Sequence, residues 1–370
     1  MEKGKPLIFS GAIGKGHDQA ARALKDELYQ RGYEADIVNI FHTIHPLFHK
    51  GVLDSYISAL TMTPKLWGKA YYFTQEYRFY KVFDHLGTLF QKHFLSLIRR
   101  HNCPFIITTY YFATAFLAKL KERNELTIPL YNVITDIALH PIFIRKNVDA
   151  NFTGAYNLEY YAELYNMPID NFHQTGIPIR ENDSIGKPKS LVREQLNLEP
   201  KQKTVLISGG GLGLTNYNKV IETLAQVSEP LQILCMTAHN ERALKKLEKV
   251  ETHHNVKAFG FIDHFTKYLA ASDVIISKGG SVTLSEALAC EVPLIIYDPV
   301  PGHEEENAKV LIDQGAAIKA EMSEAIPLLL ERVLYEAKYY EVLKQSAKKL
   351  KRPNAAKDCV SMMLKSGKKS

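Results

Sequence analysis

Two segments of the chain open in the same way, and that repetition limits the fold more than any other feature. Pro6–Ser10 is a short apolar run that passes into Gly11–His17 (GAIGKGH) and then into the helical pattern DQAARALKDELYQRG. Thr204–Ser208 (TVLIS) passes into Gly209–Gly213 (GGGLG) and another helical stretch. Strand, glycine turn and helix in that order form the opening unit of a doubly wound parallel sheet. Further apolar runs follow in both halves: EADIVNI, FIITTYY and LYNVITD first, then LQILCMT, DVIISK and VPLIIYD. Residues 183–202 are polar and hold Gly186, Pro188 and Pro200, a linker composition. The expectation is an α/β chain with two Rossmann-like domains facing across a cleft. Their bounds are 1–182 and 203–345, with a basic tail at 346–370. A length of 370 residues fits two cores better than one.

Composition narrows the class. Hydrophobic residues make up 46% and charged residues 23%, which excludes a disordered or fibrous chain. Cys103, Cys235, Cys290 and Cys359 lie far apart with no CxxC pair. A sequence-local zinc finger and a disulfide-dense scaffold are therefore excluded, and a reduced cytosol fits. No signal-type apolar region opens the chain, and the most apolar stretch, Cys103–Ala118, is broken by Thr108, Thr109 and Thr114. A soluble cytoplasmic protein is expected. Charge is uneven: from Lys338 to Ser370 ten basic residues face two acids, so of the net +6 the other residues contribute −2. Aromatics cluster as well, with 18 of 38 between Phe41 and Phe116. Both features point to an anionic surface, either membrane or nucleic acid. No RNP-like, zinc-finger or helix-turn-helix pattern accompanies the charge, which disfavours nucleic acid.

Glycine lets backbone N–H groups approach an anion, and the helix that follows offers its positive end. A Walker A reading fails, because His17 and Asp18 stand where Lys and Ser/Thr are required. A dinucleotide reading fails too. Neither loop spells GxGxxG, and the next strands end near Asn39 and Thr237 rather than on an acid. The richest block is Phe259–Asn307. There Lys278–Gly280 joins the run DVIIS to a helix whose Ser281 and Thr283 can cap and bind phosphate. Glu286, one turn further, can take both hydroxyls of a ribose.

These residues resemble a known family. SKGGSVTLSEAL followed by PVPGHEEEN is similar to the nucleotide-sugar site of family 28 glycosyltransferases. The GxGH at His17, VITDIALHPIF with Asp136 and His140, and TGIPIR at Thr175–Arg180 resemble the monogalactosyldiacylglycerol synthases and processive diacylglycerol glucosyltransferases. The resemblance implies a GT-B fold and an inverting transfer of a hexose, glucose foremost, from a UDP-sugar to the hydroxyl of diacylglycerol or another lipid acceptor. It implies no cofactor and no metal, and no DxD-like pair is evident in the donor half. His17 and Asp136 would be catalytic, with His17 the general base. Glu286 would hold the ribose, and Phe261 and Ile262 would read uracil. Gly209, Gly210, Gly211, Gly213, Gly280, Ser281 and Thr283 would cradle the diphosphate. His303, Glu304 and Asn307 would face the hexose. Trp67, Tyr71, Tyr72, His140 and Phe143 would serve the acceptor and the membrane. Phe73, Phe79, Lys65, Lys69, Arg78 and Lys81 suit an anionic headgroup layer, so peripheral attachment to the inner face of the cell membrane is expected.

Three positions depart from the family pattern. Lys278-Gly279-Gly280-Ser281 stands for the usual KPGG, His303 for Gln, and Phe143 for Trp. Two rival functions keep the same residues: transfer of N-acetylglucosamine to a polyprenyl-linked or other acceptor, and non-catalytic sensing of a UDP-sugar.

Overall fold

The central strands of this chain, such as LIFS, TVLIS, VIIS and LIIY, are almost continuously apolar, which suits a sheet covered on both faces. In the computed structural model, which describes residues 4–11, 15–44, 46–77 and 91–366, such strands form two all-parallel six-stranded sheets. The first comprises β1 (Leu7–Ser10), β2 (Asp36–Asn39), β3 (Ile106–Thr108), β4 (Leu130–Val133), β5 (Ala150–Phe152) and β6 (Phe172–His173), in the order β2-β1-β3-β4-β5-β6. The second comprises β7 (Thr204–Ser208), β8 (Gln232–Ala238), β9 (Asn255–Gly260), β10 (Val274–Ser277), β11 (Leu294–Tyr297) and β12 (Ala317–Ala320), in the order β12-β11-β10-β7-β8-β9. Phe79, Arg78, Lys81 and loop residues 12–14 lie outside the described residues.

Each sheet reverses its winding once. From β1 the chain builds outward to β2, then returns to the other side of β1 with β3. From β7 it builds outward to β8 and β9, then returns with β10. Ligands of open α/β sheets bind beyond the carboxyl ends of the strands at such a reversal. Those ends carry Gly11, His17 and Thr109 in the first sheet, and Gly209–Gly213 and Lys278–Ser281 in the second.

The chain divides into two compact units, the first Met1–Arg180 with Pro301–His303 and Asn354–Ser370, the second Glu181–Val300 with Glu304–Pro353. In the first, alternate strand residues serve opposite faces. Leu7 and Phe9 pack with Phe94, Ile98 and Phe116, whereas Ile8 packs with Leu24, Leu28 and Tyr131. That second layer also contains Cys359, Val360 and Met363. The stretch expected as a basic tail is therefore helical at Ala337–Leu350 and Ala355–Ser366, and the last helix completes the core of the first unit. Its small and apolar stripe Ala355, Ala356, Cys359, Val360 and Met363 is buried, while its lysines stay outside. Arg31 donates to Ser361 Oγ at 2.8 Å from the helix Lys15–Gln30 side.

Within residues 183–202, expected as linker, the helix Lys189–Gln195 is fastened to the second unit. Arg193 meets Asp273 at 2.7 Å and Lys189 meets it at 3.1 Å. Burial works against a charge on Asp273, but Lys189, Arg193 and the Thr204 N–H outweigh it and hold the carboxyl below its ordinary range. Part of the stretch read as linker from its polar, Gly- and Pro-containing composition is thus a helix held by ion pairs to Asp273.

Candidate active site

His17 is the third residue of the helix Lys15–Gln30 and stands where β1 and β3 part. Its Nδ1 lies 2.8 Å from the Thr109 carbonyl oxygen and 2.7 Å from Thr135 Oγ1. A carbonyl oxygen only accepts, so Nδ1 carries the ring proton and Nε2 keeps its lone pair. Tyr110 packs edge-on to the imidazole with centroids 4.9 Å apart. A Cβ at Gly11 would come within 2.5 Å of the Tyr110 ring, so this glycine makes room for the ring that buttresses His17. Burial lowers the basicity of His17 and His303 adds slightly to that, while Asp136, the Thr109 carbonyl and Asp18 oppose it. The imidazole is neutral at pH 7.

A buried polar ladder carries the rest of this site. Thr108 and Thr114 hydroxyls meet at 2.7 Å, and Thr114 donates to Asn132 Oδ1 at 3.0 Å. Asn132 Nδ2 then donates to Asn151 Oδ1 at 2.9 Å and to the Phe143 carbonyl at 3.0 Å. Buried amides with satisfied partners fix one arrangement of the strand ends. Asp136 and Thr135, both buried, follow β4 at this end. A small pocket is lined by His17, Thr109, Tyr111, Asn132, Thr135 and Phe143. Thr109 and Asn132 were not singled out as site residues by sequence, and Thr135 entered only as part of the motif VITDIALHPIF, with no role of its own.

His140 serves the scaffold. Its Nδ1 accepts from the Ile142 N–H at 3.1 Å, and its Nε2 donates to the Tyr71 carbonyl at 3.3 Å. Burial pulls its pKa down to about 4, against the Tyr71 carbonyl and Asp136. With both nitrogens engaged, it ties the segment after β4 to the helix Pro64–Tyr77. Tyr71 also turns inward: a Cβ on Gly302, in the same unit, would lie 2.8 Å from its ring. Trp67 is half-buried against Tyr56, with centroids 5.3 Å apart, and its indole N–H is buried without a hydrogen-bond partner among the described residues. Trp67 and Tyr71, expected at the membrane, thus pack partly against their own unit. The outward face of this helix and the end of the preceding helix Pro46–Met62 instead hold Met62 at 79% and Leu66 at 65% exposure, with Tyr72, Phe73, Lys65 and Lys69.

In the second unit the first glycine loop is closed on itself. Gly209 N–H donates to Tyr217 Oη, Gly210 N–H to Ser208 Oγ, and Gly213 N–H to the Gly210 carbonyl. Gly213 has φ +62°, and a Cβ there would strike the Thr237 carbonyl oxygen at 2.0 Å. Gly209, Gly210 and Gly213 thus spend their amides on packing, and of the four only Gly211 is exposed.

The other turn is open at its helix. Gly280 stands at the N-cap of Ser281–Ala289 with no side-chain cap, so the first amides of that helix point outward from its positive end. Thr283 and Glu286, three apart, share one face. The Glu286 carboxyl has no ion-pair or hydrogen-bond partner among the described residues, and burial pushes its pKa up to about 8. Gly279, where the family has proline, adopts φ +115°, a conformation closed to proline. A Cβ there would lie 2.8 Å from the Glu304 carbonyl oxygen. The Glu304 carboxylate accepts from the Val300 N–H at 2.8 Å and borders Gly280, while Asn307 is buried one turn on. After β9, Phe261 is 41% exposed and stacks on His239 with centroids 4.9 Å apart. Ile262 follows it, half-buried. His239 is a neighbour that the sequence did not single out. His303 lies in the first unit, 6.5 Å from the Tyr71 ring.

This division into units matches known families. The model for monogalactosyldiacylglycerol (MGDG) synthase covers residues 17–179, and that for the glycosyltransferase family 28 C-terminal domain covers residues 204–360. The processive diacylglycerol beta-glucosyltransferase of Bacillus pumilus is 31% identical, over 94% of this chain and 91% of that protein. Its namesake from Bacillus cytotoxicus is 30% identical, over 97% of this chain and 93% of that one. Among solved structures, Acinetobacter baumannii MurG superposes with a TM-score of 0.64 at 16% identity, covering 98% of this chain and 99% of that one. The calicheamicin glycosyltransferase CalG4 gives 0.63 at 12% identity, covering 98% of each. At such identities the structures speak for the fold, which is GT-B. The chain belongs to the family 28 glycosyltransferases, in the group of monogalactosyldiacylglycerol synthases and processive diacylglycerol glucosyltransferases.

Proposed function

We propose that this enzyme transfers glucose from UDP-glucose to the hydroxyl of diacylglycerol with inversion, at a membrane surface it visits peripherally. The observation that carries the reading is the neutral His17, whose Nδ1–H is committed to Thr109 and whose Nε2 is left to accept a proton. In the step proposed, the acceptor O–H gives its proton to Nε2 while its oxygen bonds to the anomeric carbon. The bond from that carbon to the diphosphate breaks, and UDP leaves with the electron pair. General-base assistance of this kind contributes about 10²–10⁴-fold. Asp136 supports the imidazolium electrostatically, since it is the foremost influence holding His17 basicity up.

On the donor side, the Glu286 carboxyl suits the two ribose hydroxyls and the N-terminus of the helix Ser281–Ala289 suits the diphosphate. Phe261 and Ile262 suit the uracil. Glu304 and Asn307, both in the second unit, suit the hexose. No metal or cofactor enters the proposed step; the helix terminus meets the charge that develops on UDP. Attachment to anionic lipid rests on the outward apolar face of the helix Pro64–Tyr77 with Lys65 and Lys69. Among the described residues no helix is long and apolar enough to cross a membrane. The test is product analysis with diacylglycerol vesicles and UDP-glucose, UDP-galactose or UDP-N-acetylglucosamine offered separately. Glucosyl-diacylglycerol from UDP-glucose is the expected product. Glycolipid formed only with a polyprenyl-linked acceptor, or UDP binding with no transfer to any lipid, would overturn the reading.

A further inference from the structure

We infer that Thr135 is a positioning residue for the reaction, sharing the His17 Nδ1 proton with the Thr109 carbonyl so that the imidazole presents Nε2 to the acceptor. This rests on the reading of His17 as general base. Three contacts hold the ring. Thr109 O stands 2.8 Å from Nδ1, Thr135 Oγ1 stands 2.7 Å from the same atom, and the Tyr110 ring closes the edge at 4.9 Å between centroids. All three neighbours are buried, and the Thr109 hydroxyl returns a bond of 3.1 Å to the His17 carbonyl. Neither neighbour of Nδ1 is a carboxylate. The proton taken from the acceptor therefore stays on the imidazole ring at Nε2, and Asp136 acts only through its field.

The chemistry of the two acceptors differs. The Thr109 carbonyl is backbone and survives any substitution, whereas the Thr135 hydroxyl can be removed. An oxygen that accepts from Nδ1–H favours the imidazolium over the neutral ring. Its loss should therefore lower His17 basicity and turnover together, without touching donor affinity. Charged hydrogen bonds of this sort correspond to about ten- to a hundredfold.

The test compares wild type with Thr135→Val, Thr135→Ser and His17→Ala. Thr135→Val should reduce kcat about ten- to a hundredfold with an unchanged KM for UDP-sugar. It should also move the acid limb of the pH–rate profile about one pH unit lower. Thr135→Ser should recover both. In parallel, ¹⁵N NMR of the imidazole should show the Nδ1–H tautomer in wild type and a lower titration midpoint in Thr135→Val. Wild-type kcat and acid limb in Thr135→Val, beside an inactive His17→Ala, would overturn the positioning role and leave the base in place. Should His17→Ala keep its turnover, the base reading fails instead. The NMR midpoint then decides the clamp alone: an unmoved midpoint refutes it.

Discussion

At the scale of single residues, Glu286 and His17 make opposite use of burial. An ordinary Glu titrates near 4.5, and burial raises Glu286 to about 8. Between those values the unfolded chain has lost a proton that the folded chain keeps, so stability falls as pH rises from 4.5 to 8 and the cost is complete above 8. Glu286→Gln should therefore be more stable than wild type by about 1–3 kcal/mol at pH 8 and indistinguishable at pH 4, as read from thermal melts. Equal melting at both values would mean that the carboxyl is not penalised. If the carboxylate takes two ribose hydroxyls, UDP binding at pH 7 releases a proton, and calorimetric heats should scale with buffer ionisation enthalpy in wild type but not in Glu286→Gln. His17→Ala should bind UDP normally while turnover falls by two orders of magnitude or more, about the contribution of a base. Near-normal turnover would make His17 structural. Glu286 and His17 could both be named as candidates from the sequence because short motifs surround them. Thr135 stood in a motif too, but its neighbour could not be read there, because the contact is a distance of 2.7 Å to a residue 118 positions earlier.

At the scale of elements, the helix Pro64–Tyr77 shows where sequence reading ran out. Aromatics occupy both its faces, so a stripe at helical spacing could not be assigned inward or outward from composition. Pro64, Trp67, Gly68, Tyr71 and Gln75 turn in, and Gln75 donates to Tyr165 Oη at 2.7 Å. The outward face carries Leu66 and Phe73 beside Lys65 and Lys69. Vesicle binding should then be lost with Leu66→Glu or Phe73→Ser and weaken with salt, since each lysine near anionic lipid adds about 1 kcal/mol. Trp67, half-buried against Tyr56, should change little in emission on binding. A Leu66→Trp reporter in a Trp67→Phe background should shift blue. A large blue shift from Trp67 itself would contradict the inward placement. The C-terminal helix misled for a related reason: ten basic residues in the last stretch masked the stripe that Cys359, Val360 and Met363 form. Met363→Ala should destabilise the first unit by about 2–5 kcal/mol, the cost of truncating a fully buried Met, in a denaturant titration. A loss under half a kcal/mol would deny that helix its place in the core.

At the scale of the whole chain, two strand–glycine–helix openings were enough to anticipate two parallel sheets, because parallel strands need crossover helices and long apolar runs. The glycines themselves were less informative. Gly11 yields space to Tyr110, and Gly213 yields it to the Thr237 carbonyl, so close packing explains positions that a phosphate cradle also explains. Under the proposed reading each unit supplies one part of the reaction: His17 as base from the first, and the helix terminus at Gly280 with the Glu286 carboxyl from the second. The most direct test of that account is the anomeric configuration of the lipid product. Wild-type enzyme, UDP-glucose and diacylglycerol vesicles should yield β-linked glucosyl-diacylglycerol by proton NMR, because attack opposite the leaving UDP inverts the α-linked donor, and His17→Ala should yield none. An α-linked product, or β-linked product formed equally well by His17→Ala, would contradict it.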